Sequence, residues 1–389
     1  MSLFFELLQL SLGTRDGLSR VPSVREWEEV YEEAEKQGIL GVLLDGLQRC
    51  MVHDSRFTVN LPLDVKLQWI GETQIIEQQN RDMDRKCVEL LGMLKKAGLR
   101  GSILKGQGIA RLYDEELGCR RQPGDIDVYV DCGLEKALAF ARSLGQKDIS
   151  WDYKHLHLNL WEDTEVEMHY RVEVLLNLRK NRRLQMWFEA HKEQIFNDNE
   201  NHNDNEGVNT NLQLDGVNRT NRTNEFTTPT VEFNLFYILL HIYRHFLHTG
   251  IGMRQVMDYF FVLKEAYRLR LTAYSLIETV RTFGMERFTR GLMWMMKETM
   301  AMPREWMPWE PDEKEGRYIL AQVMEGGNFG HYSERRSRLT GGLGYVMRIV
   351  RHSLHLMSHY PSEALWAPVW VVWHKGWKIK KRWQLRALL

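Results

Sequence analysis

Residues 121–131 read Arg121-Gln122-Pro123-Gly124-Asp125-Ile126-Asp127-Val128-Tyr129-Val130-Asp131. Pro123 and Gly124 belong to a loop, and the alternation that follows has the period of a β-strand. Residues two apart on a strand share a face, so Asp125 and Asp127 project together while Ile126, Val128 and Val130 face a core. Two carboxylates held side by side repel one another. A divalent cation that takes hard oxygen ligands, such as Mg²⁺, relieves that repulsion.

A third acid lies downstream. His155-Leu156-His157-Leu158-Asn159-Leu160 alternates, and so does the run from Glu165 to Val172; the acidic turn Glu162-Asp163 joins them into an expected antiparallel hairpin. Glu165, Glu167, His169 and Arg171 share one face of the second run. If that run pairs with the Asp125–Asp131 strand, Glu167 completes a cluster of three carboxylates, with Glu165 as its rival. Two Mg²⁺ ions would reverse the negative charge of such a cluster and draw in a nucleoside triphosphate (NTP) for in-line displacement at the α-phosphorus.

Upstream, Ser102-Ile103-Leu104 reads as a short buried strand that ends at Lys105-Gly106, and a helical stretch runs from about Gln107 to Leu117. Backbone N–H groups at that turn suit phosphate oxygens, and Lys105 or Arg121 can neutralise charge. The GxxxxGK[ST] spacing of a Walker A loop is absent. Leu134 to Leu144 reads as a further helix, which gives a compact α+β unit with mixed strand directions.

In this order the pieces resemble the polymerase-β-like nucleotidyltransferase superfamily. There a glycine-containing turn opens a helix, an acid–apolar–acid strand follows, and a later strand carries a third acid between apolar residues. The nearest resemblance is to a bacterial branch of uncharacterised nucleotidyltransferases. It is carried by Ile103-Leu104-Lys105-Gly106, Leu112-Tyr113, Arg121, Asp125 to Val130 and Glu167-Met168-His169-Tyr170. A helical part follows, with His241, His245-Phe246, Gly250-Ile251-Gly252-Met253-Arg254 and Asp258.

The resemblance covers about residues 70–265 and favours Glu167 over Glu165. It implies Asp125, Asp127 and Glu167 as catalytic residues and ligands of two Mg²⁺ ions, with Lys105, Gly106, Arg121 and Arg254 at the nucleotide. The implied reaction moves a nucleoside monophosphate from an NTP to an acceptor hydroxyl and releases pyrophosphate. The acceptor, whether small molecule, protein or tRNA, stays open. The competing reading keeps the fold without the activity, as an interaction protein that docks through its C-terminus. Arg254 and Asp258, one helical turn apart, also read as a plain surface i,i+4 pair. His241, His245 and His248 share a helical face and read as a polar stripe near the cleft rather than a metal site.

The whole chain has 389 residues, 52 Lys+Arg against 52 Asp+Glu, and 43% hydrophobic residues. That size predicts about two domains, and the charge balance argues against a general polyanion-binding surface. Four scattered cysteines without a CxxC pair exclude a disulfide scaffold or zinc ribbon. No apolar stretch approaches a membrane span, and the N-terminus lacks the marks of a signal peptide, so the expectation is a soluble, cytoplasmic protein.

The expected organisation is a helical region over 1–95, the nucleotidyltransferase core over 96–195, a flexible insertion over 196–230 and a second helical region over 231–389. Ten asparagines between Asn197 and Asn224 mark the insertion. After Glu363 the chain has no acid, but it carries Trp366, Trp370, Trp373, Trp377 and Trp383 among six Lys and Arg residues. Three readings compete for that tail: a helix packed by its Trp face, a membrane-surface helix, or a nucleic-acid patch.

Overall fold

The computed structural model describes residues 2–53, 55–196, 226–328 and 357–386. The Asn-rich run from Asn197 to Asn224 lies outside them. The chain is an α+β fold with a small mixed sheet flanked by helices. Four helices come first: α1 (Leu3–Ser11), α2 (Val24–Gln37), α3 (Leu40–His53) and α4 (Leu63–Lys96). Strand β1 (Gly101–Ile103) leads to α5 (Gln107–Ala110) and α6 (Glu115–Arg120). Then come β2 (Ile126–Val130), α7 (Leu134–Ser143), β3 (His155–Trp161), β4 (Thr164–His169) and α8 (Leu178–Ala190). The remainder is helical: α9 (Val231–His248), α10 (Met253–Arg268), α11 (Tyr274–Phe283), α12 (Glu286–Met300), α13 (Glu313–Gly326) and α14 (Pro361–Arg386).

The sheet order is β1-β2-β4-β3. β1 and β3 are antiparallel to their neighbours, and the central β2–β4 pair is parallel. The alternation of the strands splits the interior in two. Ile126, Val128, Val130, Leu156, Leu158, Val166 and Met168 pack in one core with α7 and the second half of α4. From the opposite face Tyr129 enters a larger core that joins α1–α3 to α9–α13. Both faces of β2 are therefore covered, and Asp127 is 1% exposed.

Helix α4 ties the two cores together. It has 34 residues, about 51 Å at 1.5 Å per residue. Its buried positions are Trp69, Thr73, Ile76, Asn80, Met83, Cys87, Leu90 and Leu94, spaced alternately four and three apart. Leu67 and Ile75, though apolar, are exposed, and polar Thr73 and Asn80 stand in the buried seam. Gly98 ends the helix at φ +70°, while Leu99 N–H donates to Leu94 O at 2.9 Å, a glycine C-cap.

The helical stretch expected after Lys105 is broken in two. α5 is a single turn and α6 restarts after Asp114. Between them Tyr113 is buried and stacks on Phe261 of α10 at 3.9 Å between ring centroids.

Gly41 in α3 lies against the end of α6. A Cβ there would sit 2.5 Å from Arg120 O, closer than real contacts allow. Gly41→Ala is expected to push α3 from α6 and lower stability by about 1–3 kcal/mol in denaturant unfolding.

Candidate active site

The parallel pair sets Ile126 opposite Val166, Asp127 opposite Glu167 and Tyr129 opposite His169. Neighbouring strands lie about 4.8 Å apart, so the two carboxylates stand side by side on one face. Asp125, immediately before β2, joins them. One oxygen from each of Asp125, Asp127 and Glu167 lies within 4.8 Å of the others. Glu165 points the same way but sits at the exposed end of β4 and pairs with His157 at 2.9 Å.

Lys105 and His169 contact the cluster. Lys105 Nζ lies 2.7 Å from Asp127 Oδ2 and 3.9 Å from Asp125 Oδ2. His169, wholly buried, places Nε2 2.8 Å from Asp127 Oδ1 and 3.2 Å from Glu167 Oε2. His155 Nδ1 is 3.1 Å from Glu167 Oε2, off the line of a hydrogen bond. His155, Glu167 and His169 thus form a second convergent group beside the carboxylates.

The charges shape one another. Burial disfavours the Lys105 ammonium, but Asp125, Asp127 and Glu167 outweigh it and hold its pKa above the ordinary lysine value. Burial and the neighbouring Asp125 charge raise Asp127, against the pull of Lys105 and His169. Burial would raise Glu167 too, yet its bond to His169 and the nearby Lys105 hold it well below the usual carboxylate range. His169 loses basicity to burial and to Lys154, and regains more from Asp127 and Glu167, so its pKa is raised.

Gly106 has φ +58° and ψ −112°, a backbone conformation that favours glycine. A Cβ there would meet only Asp125 O at 3.5 Å, an ordinary contact, so the backbone angle rather than crowding selects glycine. The following α5 has four residues.

The loop before β2 is held from three sides. Asn80 Nδ2 donates to Cys119 O at 2.7 Å and to Arg121 O at 2.8 Å. Arg254 Nη1 donates to Gln122 O at 3.0 Å and Pro123 O at 3.1 Å. Arg121 forms a two-pronged bond to Asp258, Nε to Oδ1 at 2.7 Å and Nη2 to Oδ2 at 2.8 Å, and Tyr113 Oη donates to the same Oδ1 at 2.7 Å. Arg254 and Asp258 are therefore buried rather than a surface pair, and the partner that grips Asp258 is Arg121. Arg121 also lines the cleft over the acids, with its guanidinium engaged by Asp258.

This narrow cleft, with a cavity volume of about 30 Å³, opens over the whole arrangement. Lys105, Gly106, Asp125 and Asp127 form its floor, and Ile238, His241, Arg254 and Gln255 line it from α9 and α10. The family model described as "Uncharacterised nucleotidyltransferase" matches residues 23–301. The chain belongs to this family. No curated protein and no solved structure matches it.

In this nucleotidyltransferase family member, a second polar network borders the cluster. Buried Glu173 receives Arg244 Nη1 at 2.8 Å, has His241 Nδ1 at 3.1 Å and lies 3.7 Å from Lys154 Nζ. Glu173 continues the two-residue series of Glu165, Glu167, His169 and Arg171 past the end of β4; that was its signal in the sequence. Lys154, next to the hairpin histidines, carried none. Burial lowers the Lys154 pKa despite Glu173. His241, depressed to about 4 by burial and by Lys105, is neutral near pH 7. It faces the cleft as the polar-stripe reading expects. His245 Nδ1 is 2.7 Å from Thr249 Oγ1.

Burial would raise the Glu173 carboxyl, but Arg244 and Lys154 hold it well below its ordinary value. A depressed carboxylate adds stability above its unfolded pKa of about 4.3, and that stability is lost as pH falls through the folded value. Glu173→Gln strands Lys154 and is expected to cost about 3 kcal/mol at pH 7. In urea unfolding the gap from the native protein should narrow only below about pH 4.

Proposed function

We propose that the protein transfers a nucleoside monophosphate from an NTP to an acceptor hydroxyl and releases pyrophosphate. The observation that carries this reading is the convergence of Asp125, Asp127 and Glu167, with Lys105 and the two aspartates lining a cleft, in a chain of a nucleotidyltransferase family. In the reaction the acceptor oxygen bonds to the α-phosphorus. The bond from that phosphorus to the bridging oxygen breaks, pyrophosphate leaves with the oxygen, and the hydroxyl proton passes to a carboxylate or to water.

The donor set fits a divalent cation. Its ligands are hard oxygens, and the repulsion that raises Asp127 would be relieved by positive charge between the three acids. When bound by Asp125, Asp127 and Glu167, Mg²⁺ supplies Lewis acidity at the phosphoryl oxygens and lowers the pKa of the acceptor hydroxyl, two ions being the expected number.

The chain's own residues position the reactants. His169 donates to Asp127 and Glu167 and fixes the direction of their oxygens. Lys105 and Arg254 line the cleft and can reach phosphate oxygens. Gly106 allows close backbone approach, and Arg121 keeps the Gly124–Asp125 turn in place through Asp258. Glu167, its basicity depressed, serves better as a ligand than as the proton acceptor. A cytosolic supply of NTP suits this chemistry, and the acceptor is a small-molecule, protein or tRNA hydroxyl.

Asp127→Asn keeps the size of the side chain and removes one charge. It is expected to lower Mg²⁺-dependent pyrophosphate release by roughly 100-fold or more, with an unchanged circular dichroism spectrum, and chelation of the metal should silence the native protein. Undiminished turnover by this variant, or native protein that takes up none of the four NTPs with Mg²⁺ in calorimetry, would refute the assignment.

A further inference from the structure

The C-terminal helix α14 has 26 residues and two different faces. Its inner face is seated on the hairpin region. Trp370, Trp373 and Trp377 surround Tyr153, with ring centroids 5.0–5.6 Å away. Trp377 also meets Trp151, and Lys381 pairs with Glu135 at 3.0 Å. This much agrees with the packed-Trp reading of the tail.

The outer face has no partner among the described residues. Leu365, Val369, Val372, Ile379 and Trp383 are 60%, 46%, 74%, 58% and 74% exposed. Their spacing of four, three, seven and four keeps them in one stripe. At 100° per residue it spans a sector of about 80°, and at 1.5 Å per residue it runs about 27 Å. Exposed Lys375 and Arg382 border the stripe on one side and exposed Lys380 on the other.

We propose that this face docks the protein on an anionic phospholipid surface, with the apolar stripe in the headgroup boundary and the flanking cations on lipid phosphates. Charge selects this occupant. No acid follows Glu363, so a second copy of the helix would oppose like charges in either direction. Nucleic acid fits less well, because three Trp rings that would stack on bases are turned inward and most of the exposed stripe is aliphatic. No helix of the described residues is long and apolar enough to cross a membrane, so the helix lies on the surface rather than across it.

The test is flotation of the full-length protein with vesicles of phosphatidylcholine alone and of phosphatidylcholine with about one third phosphatidylglycerol. Binding is expected only to the anionic vesicles and should weaken with salt. Val372→Glu and Ile379→Glu should each lower partitioning by roughly tenfold or more, and Val372→Leu should preserve it. Lys375→Ala, Lys380→Ala and Arg382→Ala should each lower it by about fivefold. Because these side chains are exposed, melting temperatures should stay at the native value; if Val372→Glu unfolds, Val372→Ser carries the same comparison. The proposal is overturned by equal affinity for neutral vesicles, by stripe variants that bind like the native protein, or by no vesicle binding at all. It also falls if a concentration-dependent dimer that Val372→Glu dissolves replaces vesicle binding.

Discussion

The parallel pairing of β2 with β4 places Asp127 directly opposite Glu167, and most of the site follows from it. Parallel neighbours need a long crossover, and this one holds α7 and β3 before the chain returns as β4. The register sends Ile126, Val128, Val130, Val166 and Met168 into one core and Asp127 and Glu167 to the other face. A slip of one residue would exchange the two sets. The resulting clash of charges is met by the protein itself. Lys105 reaches in from the end of β1, and His169 reaches across from β4, two residues beyond the glutamate that it orients.

Asp125 is not on the strand, and its position depends on the loop before it. That loop is fixed almost wholly by polar side chains buried at a distance in sequence: Asn80 from α4, Arg254 and Asp258 from α10. Buried polar groups without partners are costly, so such a clamp is stable only when all its members are present together. The two helical regions that flank the sheet therefore do more than cover it. α4 enters both cores and reaches the loop with Asn80, while α9 and α10 roof the cleft with Ile238, His241, Arg254 and Gln255.

The strand Ile126–Val130 and the hairpin were legible because period-two alternation is a local signal, but Glu165 and Glu167 share its parity, and only the family resemblance favoured Glu167. The turn at Lys105-Gly106 was legible for the same reason, as a change of period. The clamp was not. The bond from Arg121 to Asp258 had no local signal, because nothing in the loop announces a partner 137 positions away. Arg254 and Asp258 looked like a surface pair because i,i+4 spacing says nothing about which face is buried. In α4 the buried seam runs through Thr73 and Asn80, polar residues that hydrogen-bond there, while apolar Leu67 and Ile75 are exposed. Lys154 and Glu173 became a pair only when the hairpin and α9 met.

The balance of charge around the cleft bears on how a nucleotide would enter. Asp125, Asp127, Glu167, Glu173 and Asp258 face Lys105, Arg121, Lys154, Arg244 and Arg254, and nearly every one of these side chains is engaged with another. The site is thus not a strongly positive pocket that attracts phosphate by its own field, which agrees with the neutral charge of the whole chain. A triphosphate would have to bring cations with it or displace Lys105 from Asp127. Displacing Lys105 frees an ammonium for the phosphates and opens two carboxylate oxygens at the same moment. Metal and nucleotide would therefore favour each other's binding, since each removes the electrostatic obstacle to the other.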